Sequence, residues 1–324
     1  LLRRPATHAV ASRLGLTTRP SRTYASAAEL LGRARAWIEG AQSPFFAWAH
    51  LMDVHWPYHR EELLRDAGEI AQAWRDLGHM HRANWRGERV DDDQRRHYLQ
   101  LYENAVVYTD AQIGSFLAYL ESSGRMDDTV VLIVSDHGEE FFERRHWGHF
   151  EANLYDEIVR VPFILYLPDL LRASFPAGRA IQRQVRLLDI MPTVMELSGT
   201  TGPPGLEGES LRPLWNGHQE AYTAEYAISE KWRPEWQIVA VRTNAFKYIW
   251  DSKHPDRPEL YDLQGDPAER INLIDEHPRQ ARRFEQIVKA HLERFAAESP
   301  QELAAEPEMD EKLKRRLRSL GYVE

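Results

Sequence analysis

The chain of 324 residues contains no cysteine. That removes disulfides, thiolate metal sites and a cysteine nucleophile together, and it leaves the redox compartment undetermined. Positive charge is also in deficit: 41 Lys and Arg stand against 50 Asp and Glu, a formal net charge of −9. No general polyanion-binding surface follows from such a balance, which argues against nucleic acid as a partner. No apolar run approaches the roughly 18 residues that a membrane span needs. Leu1 to Ala28 lacks Asp and Glu while holding several Arg and Ser. This is transit-peptide composition, but the chain does not begin with Met and runs straight into a helix signal, so an internal linker is the favoured reading.

What is present is ordinary for a globular protein: 43% hydrophobic, 28% charged and 10% aromatic residues. The length suggests one large domain or about two. Ser26 and Glu29 form a capping box that predicts a helix over about Ala27 to Glu39, stopping at Gly40. Pro44 to Asp53 (PFFAWAHLMD) is short, apolar and aromatic, and reads as a buried strand. Leu63 to Arg89 is polar with scattered Trp and His, and reads as a surface excursion. Tyr98 to Ser122 carries Leu101, Val106, Ile113, Leu117 and Leu120 at helical spacing. Thr129 to Ser135 and Val161 to Pro168 read as strands, Leu187 to Leu197 as a helix, and Thr200 to Gly205 as a loop.

Short apolar strands alternating with helices imply an α/β fold with a mixed, mainly parallel sheet flanked by helices. From about Ala221 the pattern changes to AYTAEYAIS, WQIVAVRT and FKYIW, which predicts a small antiparallel C-terminal subdomain. Helices are expected over Gln280 to Glu298 and Asp310 to Leu320. In the latter Leu313, Leu317 and Leu320 make a short stripe, read as a docked amphipathic helix rather than a membrane-surface one. The expected organisation is a linker or missing-domain remnant over 1–26, a partial catalytic core over 27–218 and the C-terminal subdomain over 219–324.

The chemistry concentrates where TVVLIVS ends in Asp136, His137 and Gly138. In parallel sheets ligands bind beyond the carboxyl ends of the strands. An acid beside an imidazole suits a divalent cation, the carboxylate as a hard oxygen ligand and the imidazole adding affinity for Mn²⁺ or Zn²⁺. Asp53 and His55 follow the first apolar run in the same way. His149, in HWGHF, follows the second, with Gly148 beside it permitting close backbone approach.

These segments carry a resemblance. HLMDVHWPY, the stretch from TVVLIVSDHGEE through WGHF to LYDEIVRVPFILYLP, then LLDIMPTVMELSG, and finally ELYDLQGDPAERINL resemble, in order, successive blocks of the sulfatase family within the alkaline phosphatase superfamily. The resemblance implies hydrolysis of a small-molecule or carbohydrate sulfate or phosphate ester at one divalent metal ion, Ca²⁺ or Mn²⁺. It implies Asp136 and His137 as metal ligands, His55 as a contact to the ester's anionic oxygens, and His149 as a substrate contact or the acid that protonates the leaving oxygen. His137 stands where many sulfatases have Asn, which is similar to phosphodiesterases and phosphonate or phosphate ester hydrolases.

There are departures as well. Phe142, Arg144 and Phe150 replace Gly, His and Gly in the family's pattern. The family's paired acidic ligands and its Cys-or-Ser-x-Pro-x-Arg nucleophile motif are absent; Thr18-Arg19-Pro20-Ser21-Arg22 mimics the motif without the acids before it. The chain is therefore expected to be the C-terminal part of a sulfatase-like hydrolase, its nucleophile and remaining ligands lying on residues outside it. A catalytically silent scaffold is the alternative.

Overall fold

A computed structural model describes residues 25–56, 58, 67–144, 146–149, 153–172, 175–233 and 235–298. The chain forms two compact units, one built from residues up to Gly124 with Phe141–Trp147, the other from Arg125–Glu140 with residues from Gly148 on. The mimic motif at Thr18 to Arg22 and the helix expected over Asp310 to Leu320 fall outside the described residues.

The first unit is helical. Helix α1 (Ala27–Gly40) starts where Ser26 Oγ accepts from the Glu29 amide, and buries Ala27, Leu31 and Ile38 at helical spacing. Helix α2 (Ala67–Arg86) corrects the surface excursion expected over Leu63 to Arg89. Its buried side includes Ile70, Ala73, Met80 and Ala83, but also Asp76, His79 and Asn84. Those polar groups have partners, which is what allows them inside: His97 Nε2 lies 2.8 Å from Asp76, His79 bonds the Tyr98 hydroxyl, and Asn84 bonds Trp147. Helix α3 (Asp92–Ser122) begins six residues before the expected start, because Asp91 and Gln94 cap each other's backbone amides.

Tyr58, Met80, Tyr98, Ala105, Phe141 and Trp147 form the aromatic core of this unit. Trp147 is 1% exposed. Its ring nitrogen donates to the Met80 carbonyl at 3.1 Å, and its backbone exchanges two hydrogen bonds with the Asn84 amide at 3.1 and 2.8 Å.

Pro44 to Asp53 is not a strand. Phe46 is 73% and Trp48 81% exposed. Aromatic residues favour a pleated, half-buried surface, but a strand exists only through a ladder partner, and this run pairs with none among the described residues.

In the second unit β1 (Val131–Val134) pairs antiparallel with β2 (Phe163–Tyr166), Val131 opposite Tyr166 and Val134 opposite Phe163. Between them, among the described residues, are two two-residue strands, Glu140–Phe141 and Trp147–Gly148, and the single-turn helix α4 (Asp156–Val159). None of these is a long helical crossover of the kind a parallel pair needs, and this ladder, like the others with a defined register, is antiparallel. After α5 (Ile190–Leu197) comes a four-stranded sheet, β3 (Ala227–Arg233), β4 (Trp236–Arg242), β5 (Phe246–Asp251) and β6 (Glu259–Asp262), in sequential order.

Strand β4 is covered on both sides, which explains its near-continuous apolar run. Val239 and Val241 pack with Tyr248, Leu260 and, from helix α6 (Pro278–Glu298), Phe284 and Val288. Ile238 and Ala240 pack on the opposite face with Ile249, Tyr261 and Leu154. On this second face Lys247, fully buried, bridges Asp156 and Glu269 at 2.9 Å each. Arg242 holds Asp156 through two bonds of 2.9 and 2.8 Å. The network ties α4 to the sheet. Among the described residues no helix is long and apolar enough to cross a membrane.

Candidate active site

The site begins where β1 stops. At Ser135 the chain leaves the ladder, and short-range side chain to backbone bonds shape a turn in its place. Ser135 Oγ donates to the His137 carbonyl at 2.6 Å, and Asp136 Oδ1 accepts from the His137 amide at 3.0 Å. Gly138 then passes against α4: its amide donates to the Ile158 carbonyl at 2.7 Å, and a Cβ there would lie 2.1 Å from the Glu157 carbonyl oxygen. Only glycine permits that approach.

The turn fixes what the two side chains can do. His137 Nδ1 is 2.9 Å from the Gly138 carbonyl. A carbonyl only accepts, so Nδ1 carries the hydrogen and the lone pair of the neutral ring is on Nε2. His137 Nε2 in turn lies 3.9 Å from Asp136 Oδ2. Ligand bonds to a divalent ion run about 2.0–2.6 Å, so two donors at this separation can share one cation. The backbone carbonyl behind the imidazole is the supporting contact that metal-binding histidines ordinarily have. The donor set therefore fits a divalent ion.

His149 lies beside His137, ring centroids 4.1 Å apart and tilted by 43°. Its Nδ1 is 3.1 Å from Glu139 Oε1, and the Glu139 side chain is 5% exposed. Donor atoms of His137, Glu139 and His149 all lie within 4.8 Å of one another. Asp136, His137 and His149 line a cavity of about 1410 Å³ together with Arg160, Arg179 and Arg183. The structure thus brings three of the four expected residues together in the second unit. His55 belongs to the first unit, where its Nδ1 donates to the Trp56 carbonyl at 2.6 Å. The sequence alone does not single out Glu139, whose signal is only one acid of a Glu-Glu pair.

Comparison with known proteins decides the family. A family model described as Sulfatase matches residues 5–200, more than half of the chain. The chain belongs to the sulfatase family. A second model, "N-sulphoglucosamine sulphohydrolase, C-terminal", matches residues 145–298. The chain is 25% identical over 276 residues to an N-acetylglucosamine-6-O-sulfatase of Bacteroides thetaiotaomicron, covering 75% of this sulfatase-family chain and 47% of the relative. It is 31% identical over 200 residues to a choline-sulfatase of Rhizobium meliloti, covering 59% of the chain and 35% of the relative. It spans about half or less of the length of these curated relatives. Among solved structures it is similar to the phosphonate monoester hydrolase of Agrobacterium radiobacter, with a TM-score of 0.64 at 22% identity over 91% of this chain and 66% of that one. That likeness concerns the fold, the α/β, alkaline phosphatase-like class expected from the sequence.

Proposed function

We propose that this chain carries one half of a metal-dependent ester hydrolase site, in which Asp136 and His137 hold one divalent cation and His149 handles the ester oxygen. The observation that carries the reading is the pair itself: Asp136 Oδ2 and His137 Nε2 3.9 Å apart, with His137 Nδ1 committed to the Gly138 carbonyl. When bound, the cation would offset charge on the transferring group and on the attacking oxygen. A carboxylate oxygen suits Ca²⁺ and Mn²⁺ alike, and the imidazole tilts the choice toward Mn²⁺.

His149 provides the proton chemistry that imidazole performs near neutral pH, giving a proton to the departing oxygen. The nucleophile and the remaining cation ligands are on residues outside this chain. The substrate is a sulfate ester of a small molecule or carbohydrate, a reading that the names of the two curated relatives support. A phosphonate or phosphate ester is the second reading, favoured by His137 in place of Asn and by the likeness in fold to the phosphonate monoester hydrolase.

The test is a chromogenic assay with aryl sulfate and aryl phosphate in the presence of Mn²⁺ or Ca²⁺. It is run on this chain and on a longer polypeptide that adds the paired acids and nucleophile motif. Turnover is expected from the longer protein alone, since covalent catalysis needs an activated attacking group beside the metal. Metal-dependent turnover by this chain that Thr18→Ala abolishes would overturn the division of the site.

A further inference from the structure

Glu139 is part of neither the cation pair nor the ester-handling group, yet it is the least exposed of the four side chains, at 5% against 52% for Asp136, 26% for His137 and 19% for His149. A buried carboxylate needs a purpose or a partner, because the charged form is costly to remove from water. Its Oε1 lies 3.1 Å from His149 Nδ1. An ionised carboxylate only accepts, so the hydrogen of that bond is on Nδ1. His149 lines the cavity and Glu139 does not.

We infer that Glu139 is the positioning residue of His149, holding the imidazole in its Nδ1–H tautomer and fixing the ring so that Nε2 is turned away from the carboxylate. The inference rests on the reading of His149 given above and deepens it. With Nδ1 committed, Nε2 is the nitrogen that exchanges a proton: as imidazolium it donates Nε2–H to the departing oxygen and recovers the lone pair, while Nδ1 keeps its hydrogen throughout. Two neighbouring imidazoles would otherwise be able to bond each other or rotate. For metal-binding histidines the loss of such an orienting partner typically costs about 10–100-fold in affinity or activity, and a loss of that order in activity is expected for His149.

Glu139 has one competing assignment, as a ligand. Two imidazoles and a carboxylate make a zinc-type donor set, and their donor atoms lie within 4.8 Å of one another. Against it, the 3.1 Å separation is itself a hydrogen bond, and the carboxylate is off the cavity wall.

The experiment uses the full 324-residue chain labelled with ¹⁵N histidine, in long-range ¹H–¹⁵N spectra at a pH where the rings are neutral. His149 should show the Nδ1–H pattern in the parent chain. Glu139→Gln should retain it, because the amide oxygen still accepts. Glu139→Ala should lose it, giving predominantly the Nε2–H form. A parent chain with His149 protonated on Nε2, or a Glu139→Ala chain with an unchanged tautomer, would overturn the inference. So would one equivalent of Zn²⁺ bound through His149 and lost in Glu139→Ala, which would make Glu139 a ligand. If Glu139→Ala does not fold, the parent and Glu139→Gln spectra decide. None of these readouts requires turnover, so the inference and the ester reading can fail separately.

Discussion

Two clusters of ionisable side chains in the second unit are built to opposite ends. Asp156, Arg242, Lys247 and Glu269 place two cations against two anions, Lys247 and Glu269 wholly buried and Asp156 11% exposed. Asp136, His137, Glu139 and His149 place two imidazoles beside two acids, and three of the four line a cavity. The first cluster is completed by the protein's own charges, and its product is a fixed helix–sheet junction. Three members of the second line a cavity that Arg160, Arg179 and Arg183 also line. Distance alone does not separate the two, since both contain contacts near 3 Å. The cavity does, since Asp136, His137 and His149 line it and Asp156, Lys247 and Glu269 do not.

The largest effect should come from unbalancing the closed cluster. Lys247→Met removes the cation between Asp156 and Glu269 and leaves a buried carboxylate uncompensated, which should destabilise the chain by about 3–5 kcal/mol in chemical unfolding. A smaller loss than about 1 kcal/mol would mean that Arg242 suffices and that the contrast is overdrawn. Gly138→Ala should come next, at about 1–3 kcal/mol, because the new methyl meets the Glu157 carbonyl and α4 must shift. Its distinguishing result is that His137 loses the carbonyl that orients it, so thermal unfolding and cation response should change together.

Acid offers a third handle, on the closed cluster. Burial by itself would push the Asp156 carboxyl up, but Arg242 and Lys247 prevail and hold it down to about 2, from an ordinary 3.8. A depressed carboxyl stabilises the fold fully above its unfolded value and loses that contribution as pH falls through the folded one. Stability should therefore fall between about pH 4 and pH 2, and the part due to this group should vanish in Asp156→Asn. The smallest effect is expected at the open cluster: Asp136→Asn should move unfolding by no more than about 0.5 kcal/mol, as for a part-exposed side chain outside the packed core.

Much of this fold was legible in the sequence where a local rule and the tertiary context agree. Helix α1 follows from Ser26 and Glu29, and β1 and β2 from bounded apolar runs. The antiparallel sheet follows from short apolar runs with close breaks. The failures are instructive. Helix α2 is not legible in the sequence because its buried side includes Asp76, His79 and Asn84, residues admitted to the interior by Tyr98, His97 and Trp147, none of which is nearby in sequence. The composition of Pro44 to Asp53 predicts a strand, and composition cannot provide a partner. The site divides in the same way. Asp136 and His137 stand out because an apolar run ends on them, whereas the use of Glu139 depends on a histidine ten residues further on.

The most direct measurement of the central claim follows Mn²⁺ titrated into the ¹⁵N-labelled chain. The account predicts line broadening centred on Asp136 and His137, saturating only at about 10⁻⁴ M or weaker because two ligands make an incomplete set, and abolished by Asp136→Asn. Submicromolar saturation, or broadening that Asp136→Asn leaves unchanged, would contradict it.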